Sequence, residues 1–465
     1  MPARARAQTS AVGSVVEVVQ RIAIVGAGPS GFYAADQLLK AGFAVDLYDR
    51  LPTPFGLVRA GVAPDHPKIK SVTRIYEKTA AHDAFRFFGG VELGADITRD
   101  ELLARYHAVV YAYGTARDNR LGIPGEELCG SHPATDFVGW YNGHPDYTDL
   151  EFDLDHERAV VIGNGNVALD VARMLVLATE ELAPTDTADH AVAAFHGSGV
   201  SDVVLIGRRG PAQAAFTNPE LRELGELSRA DVVVEPFEAE LAEDATPTAR
   251  RNVEILQEYA RRQPGDKTHK VILRFCLSPV EILGDETGRV SAVRVVHNRL
   301  ETGADGRVRA VATDQQELIE CGMVLRAVGY RGEPVPGVPF DADLGRIPND
   351  GGRVTGPDGD PLRGEYAVGW IKRGPSGVIG TNKKDAADTV AKLLEDAEHD
   401  RLGVPGDGAD ADAIAAWLRE RVPGVCTWEG WLNIDEHETA AGAPAGRPRV
   451  KVVRMEDLQR IAAGT

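Results

Sequence analysis

Arg21-Ile-Ala-Ile-Val-Gly-Ala-Gly-Pro-Ser-Gly31 is the stretch whose reading decides the fold. A short apolar run halts at glycines in G-x-G-x-x-G spacing and passes into the helical pattern Phe32 to Lys40, which reads as strand, tight turn and helix. Gly26 permits the sharp turn, Gly28 lets backbone approach a pyrophosphate, and Gly31 lets the helix pack on the strand. The helix N-terminus then faces the phosphates. Gly42 suits a helix C-cap, and Ala44-Val-Asp-Leu-Tyr-Asp49 reads as a second strand ending on an acid 23 residues after Gly26, the spacing of a ribose-binding carboxylate.

The rest of the chain must accommodate that unit. At 465 residues it exceeds one ordinary core, so a large multidomain α/β protein is expected. With 43% hydrophobic and 26% charged residues it has globular composition, and no apolar run approaches the roughly 18 residues of a membrane span. A formal charge of −19 opposes nucleic-acid or anionic-membrane binding as a global property. Residues 1 to 17, with Arg4, Arg6 and no acid before Glu17, read as a disordered extension. Cys129, Cys276, Cys321 and Cys426 form no C-x-x-C pair, which opposes an iron–sulfur cluster, a zinc site or a redox disulfide and favours isolated buried thiols in a reducing cytoplasm. No metal site is expected.

Between Arg50 and Lys70 prolines and glycines exclude a regular helix or central strand, leaving a structured loop whose most chemically versatile member is His66. Ser71 to Ala81 reads as a helix. Phe85 to Phe88, Val91 to Leu93 and Ala108 to Gly114 read as strands, and Gly122-Ile-Pro-Gly125 as a crossing between domains. A second fingerprint follows at Ala159-Val-Val-Ile-Gly-Asn-Gly-Asn-Val-Ala168, with Gly163 and Gly165 in the turn and Ala168 in place of the third glycine. Two grips imply two dinucleotides. The strand after it, Asp202 to Gly207, ends on Arg208-Arg209 rather than an acid, and paired guanidiniums suit the 2′-phosphate of NADP. Thr179 to Gly199 reads as an inserted helix and loop. Glu220 falls in the first turn of a helix starting at Asn218 or Pro219, where the helix dipole favours a carboxylate. Basic residues between Arg250 and Arg274 suit either a solvated face or a docking patch for an acidic protein. Tyr366 to Lys384 reads as a strand and two glycine-rich turns before a helix from Asp385, and the C-terminal tryptophans read as core.

Both fingerprints, Gly207-Arg-Arg-Gly-Pro211, Pro52-Thr-Pro-Phe-Gly-Leu-Val-Arg59 with Val62 to His66, and Gly369-Trp-Ile-Lys-Arg-Gly-Pro375 with Gly377-Val-Ile-Gly-Thr381 resemble the adrenodoxin reductase type of NADPH:ferredoxin reductase, from about Ile22 onward. The resemblance implies two Rossmann-like domains, the NADP domain (117–326) inserted into a discontinuous FAD domain (18–116 and 327–465, the latter with a helical appendage). By matching position, the turn Gly26, Gly28, Pro29, Ser30 and Gly31, together with Asp49, Leu57, Val91, Trp370, Gly377, Val378 and Ile379, would contact FAD. Gly163, Gly165, Asn166, Val167, Ala168, Leu169, Arg208, Arg209 and Glu220 would contact NADP. His66, Glu220 and Trp370 would stand nearest the reacting rings, His66 and Glu220 as a hydrogen-bonded pair. The implied activity is hydride transfer from NADPH to FAD N5 and single-electron delivery to an acidic ferredoxin in the cytoplasm. A flavin monooxygenase and a non-catalytic FAD/NADP-binding protein are the alternatives. Two positions depart from the family: Asp49 is shorter than the usual glutamate, and Asn119 stands where relatives carry arginine.

Overall fold

A computed structural model describes residues 6–8, 16–235, 241, 245–262, 265–377 and 379–464. Most of the N-terminal extension therefore lies outside the described residues, apart from an antiparallel pairing of Arg6–Gln8 with Val16–Val18.

The strands that carry the architecture run in chain order. The first four are β1 (Arg21–Val25), β2 (Ala44–Asp49), β3 (Phe85–Gly89) and β4 (Ala108–Tyr111). Next come β5 (Ser131–Pro133), β6 (Arg158–Ile162), β7 (Asp202–Gly207), β8 (Ala230–Val234) and β9 (His269–Phe275). Then follow β10 (Leu277–Gly284), β11 (Val290–Thr302), β12 (Val308–Glu320) and β13 (Met323–Arg326). The last are β14 (Asn349–Asp350), β15 (Arg353–Thr355) and β16 (Pro361–Ala367).

They form a seven-stranded sheet ordered β14-β15-β16-β4-β1-β2-β3, a six-stranded sheet ordered β8-β9-β7-β6-β13-β5, and an antiparallel three-stranded sheet β10-β11-β12. The six-stranded sheet and the β16-β4-β1-β2-β3 part of the seven-stranded one are parallel. Their central strands are near-continuous apolar runs because both faces are covered, in the six-stranded sheet by helices on one face and by the antiparallel three-stranded sheet on the other. Ile22, Ile24, Val45, Leu47 and Val110 pack beneath one face of the first sheet, and Val161, Val203, Leu205, Val271 and Leu325 in the corresponding core of the second.

The helices that bear on the site are α1 (Pro29–Lys40), α2 (Asn166–Val176), α3 (Asn218–Leu224), α4 (Pro247–Arg261), α5 (Trp370–Arg373), α6 (Ile379–Glu398) and α7 (Trp428–Gly442). Several expectations need correction. Val91 to Leu93 is not a strand: Val91 N–H donates to Asp49 O at 2.9 Å and Leu93 makes only an isolated bridge to Ile97. The helix expected from Asp385 begins at Ile379, because Asn382 and Asp385 are buried on its inner face and anchor its first turns. Cys129 is exposed, whereas Cys321 and Cys426 are buried, and all four thiols are free. Trp431 is 2% exposed, and Trp428 and Trp417 pack partly buried against the core.

Candidate active site

The two fingerprints fold as near-copies of each other. Gly26 N donates to Tyr48 O at 2.8 Å and Gly163 N to Ile206 O at 2.9 Å, so each turn is tied to the next strand of its own sheet. Both glycines take positive φ, 112° and 147°, and a Cβ there would lie 2.5 Å from Ala112 C and 2.2 Å from Ala327 O. These two positions need glycine for backbone reasons.

Gly28 and Gly165 do not. Their φ values, −84° and −118°, are open to any residue, and a Cβ on either would meet no protein atom within 4 Å. Each is the N-cap of its helix with no side chain capping it, so the first N–H groups of α1 and α2 point into open space. Both face one cavity of about 1590 Å³ at the junction of the sheets. Paired glycine cradles with uncapped helix ends fit two pyrophosphates.

Pro29, Ser30, Asp49, Leu57, Trp370, Gly377 and Ile379 line the cavity on the side of the first turn, and Gly163, Asn166, Val167, Arg208, Arg209 and Glu220 on the side of the second. Val91, Ala168 and Leu169 are buried at 1%, 0% and 0% exposure, so their side chains pack in the cores and do not line it. Gly31 is likewise a packing residue, since a Cβ on it would lie 2.1 Å from Gly26 O. Val378 lies outside the described residues.

Asp49 braces its turn: Oδ2 accepts from Ala27 N at 2.8 Å and Oδ1 from Leu51 N at 2.9 Å. Burial nonetheless raises its carboxyl above the ordinary range. Leu57, 47% exposed, offers an apolar surface to a ring. Trp370 stacks on Tyr330, centroids 5.7 Å apart and planes at 24°, and its buried Nε1 has no hydrogen-bond partner among the described residues. Arg208 and Arg209 are exposed, and their side chains make no ion pair among the described residues. The chemistry of this lining fits a flavin dinucleotide on one side and a 2′-phosphorylated nucleotide on the other.

The expected His66–Glu220 hydrogen bond is not formed. His66 Nε2 is 3.9 Å from Glu220 Oε2 and 2.7 Å from Glu223 Oε2, because Glu223, one turn further along α3, reaches the ring first. Arg173 Nη1 stands 2.6 Å from the same His66 nitrogen and 2.6 Å from Glu223 Oε2. One nitrogen cannot serve both partners at once: protonated at Nε2 the ring donates to Glu223, and protonated at Nδ1 it accepts from Arg173. The other arm of Arg173 holds Asp65 at 2.6 and 2.7 Å. Asp170 Oδ1 and Glu220 Oε2 are buried atoms without a hydrogen-bond partner among the described residues, and burial raises both carboxyls, Asp170 well above the ordinary range. His66, Asp170 and Glu220 bring their ligand-type atoms within 4.8 Å of one another, but the Arg173 guanidinium already supplies positive charge there. Sequence reading missed Asp65, Asp170, Arg173 and Glu223. Their signal was the i,i+3 spacing of Asp170 with Arg173 and of Glu220 with Glu223, which puts each pair on one helix face.

Three basic side chains of the stretch Arg250–Arg274 are matched by acids. Arg251 pairs with Glu254, Arg262 with Glu258 and Arg274 with Glu317, each at 2.6 Å. Lys267 Nζ donates to Leu227 O at 2.6 Å.

Comparison with known proteins decides the family. The chain is 49% identical over 463 residues to NADPH-ferredoxin reductase FprA of Mycobacterium leprae, covering 96% of this chain and 99% of that one. It belongs to the NADPH-ferredoxin reductase family. To the mitochondrial NADPH:adrenodoxin oxidoreductase of Salvelinus fontinalis it is 42% identical over 458 residues, covering 95% of this chain and 91% of that one. The solved structure of Mycobacterium tuberculosis FprA in complex with NADPH superposes with a TM-score of 0.91 at 48% identity, covering 96% of this chain and all of that one. Residues 20–209 match the model of the pyridine nucleotide-disulphide oxidoreductases. The reductase family's two-dinucleotide α/β architecture is the one these sheets build.

Proposed function

We propose that this chain is a ferredoxin–NADP+ reductase, drawing electrons from NADPH by way of FAD and passing them to a ferredoxin. The observation that carries the reading is the pair of glycine turns with uncapped helix ends facing one cavity, one turn followed by Asp49 and the other by the exposed Arg208 and Arg209, which have no ion pair among the described residues. The chemistry a bound FAD supplies is the conversion of a two-electron donor into two one-electron deliveries.

The chain's own residues bind and orient. The first turn, Asp49, Leu57, Trp370, Gly377 and Ile379 hold the flavin dinucleotide, while Gly163 to Val167 and the arginine pair hold NADPH. Seven-stranded-sheet segments come from both ends of the chain and six-stranded-sheet segments from between them, which supports an FAD unit from 18–116 and 327–465 and an NADP unit from 117–326. His66 stands at the reacting edge, its Nε2 donating to Glu223 when it carries the proton and accepting from Arg173 when it does not. Because hydride transfer needs no general base, His66→Gln is expected to slow flavin reduction without abolishing it.

The partner is an acidic ferredoxin, and the charge of Arg261, which has no ion pair among the described residues, serves its approach. No helix among the described residues is long and apolar enough to cross a membrane, in keeping with a cytoplasmic reductase. Cytochrome c reduction by NADPH, with and without ferredoxin and across salt, tests the reading. Ferredoxin is expected to accelerate it, and added salt to weaken that coupling. Substrate-linked oxygen consumption would point instead to a monooxygenase, and failure to reduce ferricyanide to a non-catalytic binder.

A further inference from the structure

Arg208 and Arg209 stand where no sheet ladder fixes the chain. Gly207 is the last residue of β7 in register with β9, opposite Phe275. Past it, the backbone is held by the three-stranded sheet, which belongs to neither nucleotide-binding sheet. Asn298 Nδ2 donates to Arg208 O at 2.8 Å and to Ser278 Oγ at 2.8 Å, which uses both amide hydrogens. Cys276 N donates to Arg209 O at 3.1 Å, and Asn298 N donates to Cys276 O at 2.7 Å. Both arginine carbonyls thus accept from one clamp.

Two local irregularities build that clamp. The pairing of β11 with β12 slips between Val296 and Asn298, and such a bulge re-aims the side chain beside it. Cys276, between β9 and β10, takes φ 56°, a left-handed conformation that costs a non-glycine residue energy and persists where its surroundings demand it. Here it redirects the chain just after the Cys276 N–H that meets Arg209 O, so that the Cys276 carbonyl accepts from Asn298 N. The strain and the slip converge on the same peptide groups.

We infer that Asn298 is a positioning residue for cofactor specificity: by fixing the Arg208 carbonyl it sets the direction in which the Arg208 and Arg209 side chains leave the backbone, and so the enzyme's discrimination of a 2′-phosphate. The inference rests on the NADP reading above. Among the described residues the guanidiniums have no ion pair to orient them, so their aim depends on the backbone beneath. Bidentate recognition of a phosphate loses its advantage when the fork is not presented in register. A nucleotide without the 2′-phosphate makes no use of the pair.

Calorimetric titration of the flavin-loaded protein with 2′,5′-ADP and with 5′-AMP separates these effects. In Asn298→Ala, affinity for 2′,5′-ADP is expected to fall about fivefold while that for 5′-AMP changes less than about twofold. Ser278→Ala, which removes only the partner that orients the amide, is expected to give a smaller loss in the same direction and carries the test if Asn298→Ala does not fold. Unchanged 2′,5′-ADP affinity in both variants, or equal loss for both nucleotides, overturns the inference alone. A wild-type protein that does not prefer 2′,5′-ADP overturns the NADP reading and the inference with it.

Discussion

Gly28 and Gly31 lie three residues apart in one motif and answer to different demands. A methyl on Gly31 would have to occupy the space of Gly26 O, 2.1 Å away, so Gly31→Ala is expected to cost at least about 3 kcal/mol of stability through forced overpacking. A methyl on Gly28 meets only the cavity, so Gly28→Ala should fold normally yet bind FAD about tenfold more weakly, having lost close backbone approach to a charged group. Thermal melts paired with flavin content distinguish the two, and a Gly28→Ala protein that keeps its flavin would remove the cradle from the account. Asp170 offers a second test. Its carboxyl is raised by burial, so the stability of its neutral form is complete below the unfolded value of 3.8 and is lost as pH climbs through the folded value. Asp170→Asn stays neutral, so its stability relative to wild type should grow from pH 4 to pH 8 in urea titrations. The glycine turns were legible in the sequence because their constraints are local. Which carboxylate meets His66 was not, since Glu220 and Glu223 share a helix face and the choice depends on how α3 packs against a loop more than 150 residues away in the chain.

At the scale of elements, α6 shows where local pattern runs out. Its opening Ile379-Gly-Thr-Asn has weak helical propensity, and the sequence reading accordingly started the helix later. The helix forms early because its inner face is pinned: Asp385 Oδ2 accepts from Gly369 N at 2.6 Å, and Asn382 Oδ1 accepts from Arg373 at 2.8 Å. The far end is latched to the seven-stranded sheet through Asp396. Its Oδ2 accepts from Arg353 Nε at 2.7 Å and from Tyr366 Oη at 2.8 Å, and its Oδ1 from Arg401 Nε at 2.7 Å. Burial pushes this carboxyl up, but the bonds from Arg353, Tyr366 and Arg401 outweigh it and bring it down to about 2. A depressed carboxyl contributes stability that is present above its unfolded value of 3.8 and lost as pH falls through about 2. Asp396→Asn is therefore expected to lose about 2 kcal/mol at neutral pH and to flatten the acid limb of the stability profile between pH 4 and pH 2. Chemical denaturation across that window reads both. A wild-type acid limb retained in the variant would mean that other carboxylates govern acid unfolding.

Across the whole molecule, the C-terminal segment ties the two large sheets' surroundings together. Glu438 of α7 accepts from Arg59 Nη1 at 2.8 Å, and its Oε1 accepts from Val452 N at 2.8 Å, which fixes the segment against the loop that lines the cavity. From there Lys451 Nζ donates to Arg59 O at 3.1 Å and lies 3.1 Å from Asp186, which also holds Lys70 at 2.7 Å. Arg447 reaches the inserted segment after α2, donating to Thr185 O at 3.0 Å, Thr187 O at 2.6 Å and Asp189 at 2.5 Å. A strap of eight residues, Arg447 to Arg454, thus spans elements proposed above for the FAD unit and for the NADP unit. Hydride transfer requires the two reacting rings within about 3.5 Å and in register, so a joint that fixes the two units should matter to rate more than to binding of either cofactor. Arg447→Ala removes three of these contacts and leaves the cavity lining untouched. It is expected to lower stability by about 2 kcal/mol and to slow flavin reduction at saturating NADPH by about threefold, with full flavin content. Stopped-flow absorbance of the flavin beside urea unfolding measures both quantities. If stability fell while the reduction rate stayed at the wild-type value, the strap would be a clamp on the fold alone, and the alignment of the rings would rest on the cavity walls.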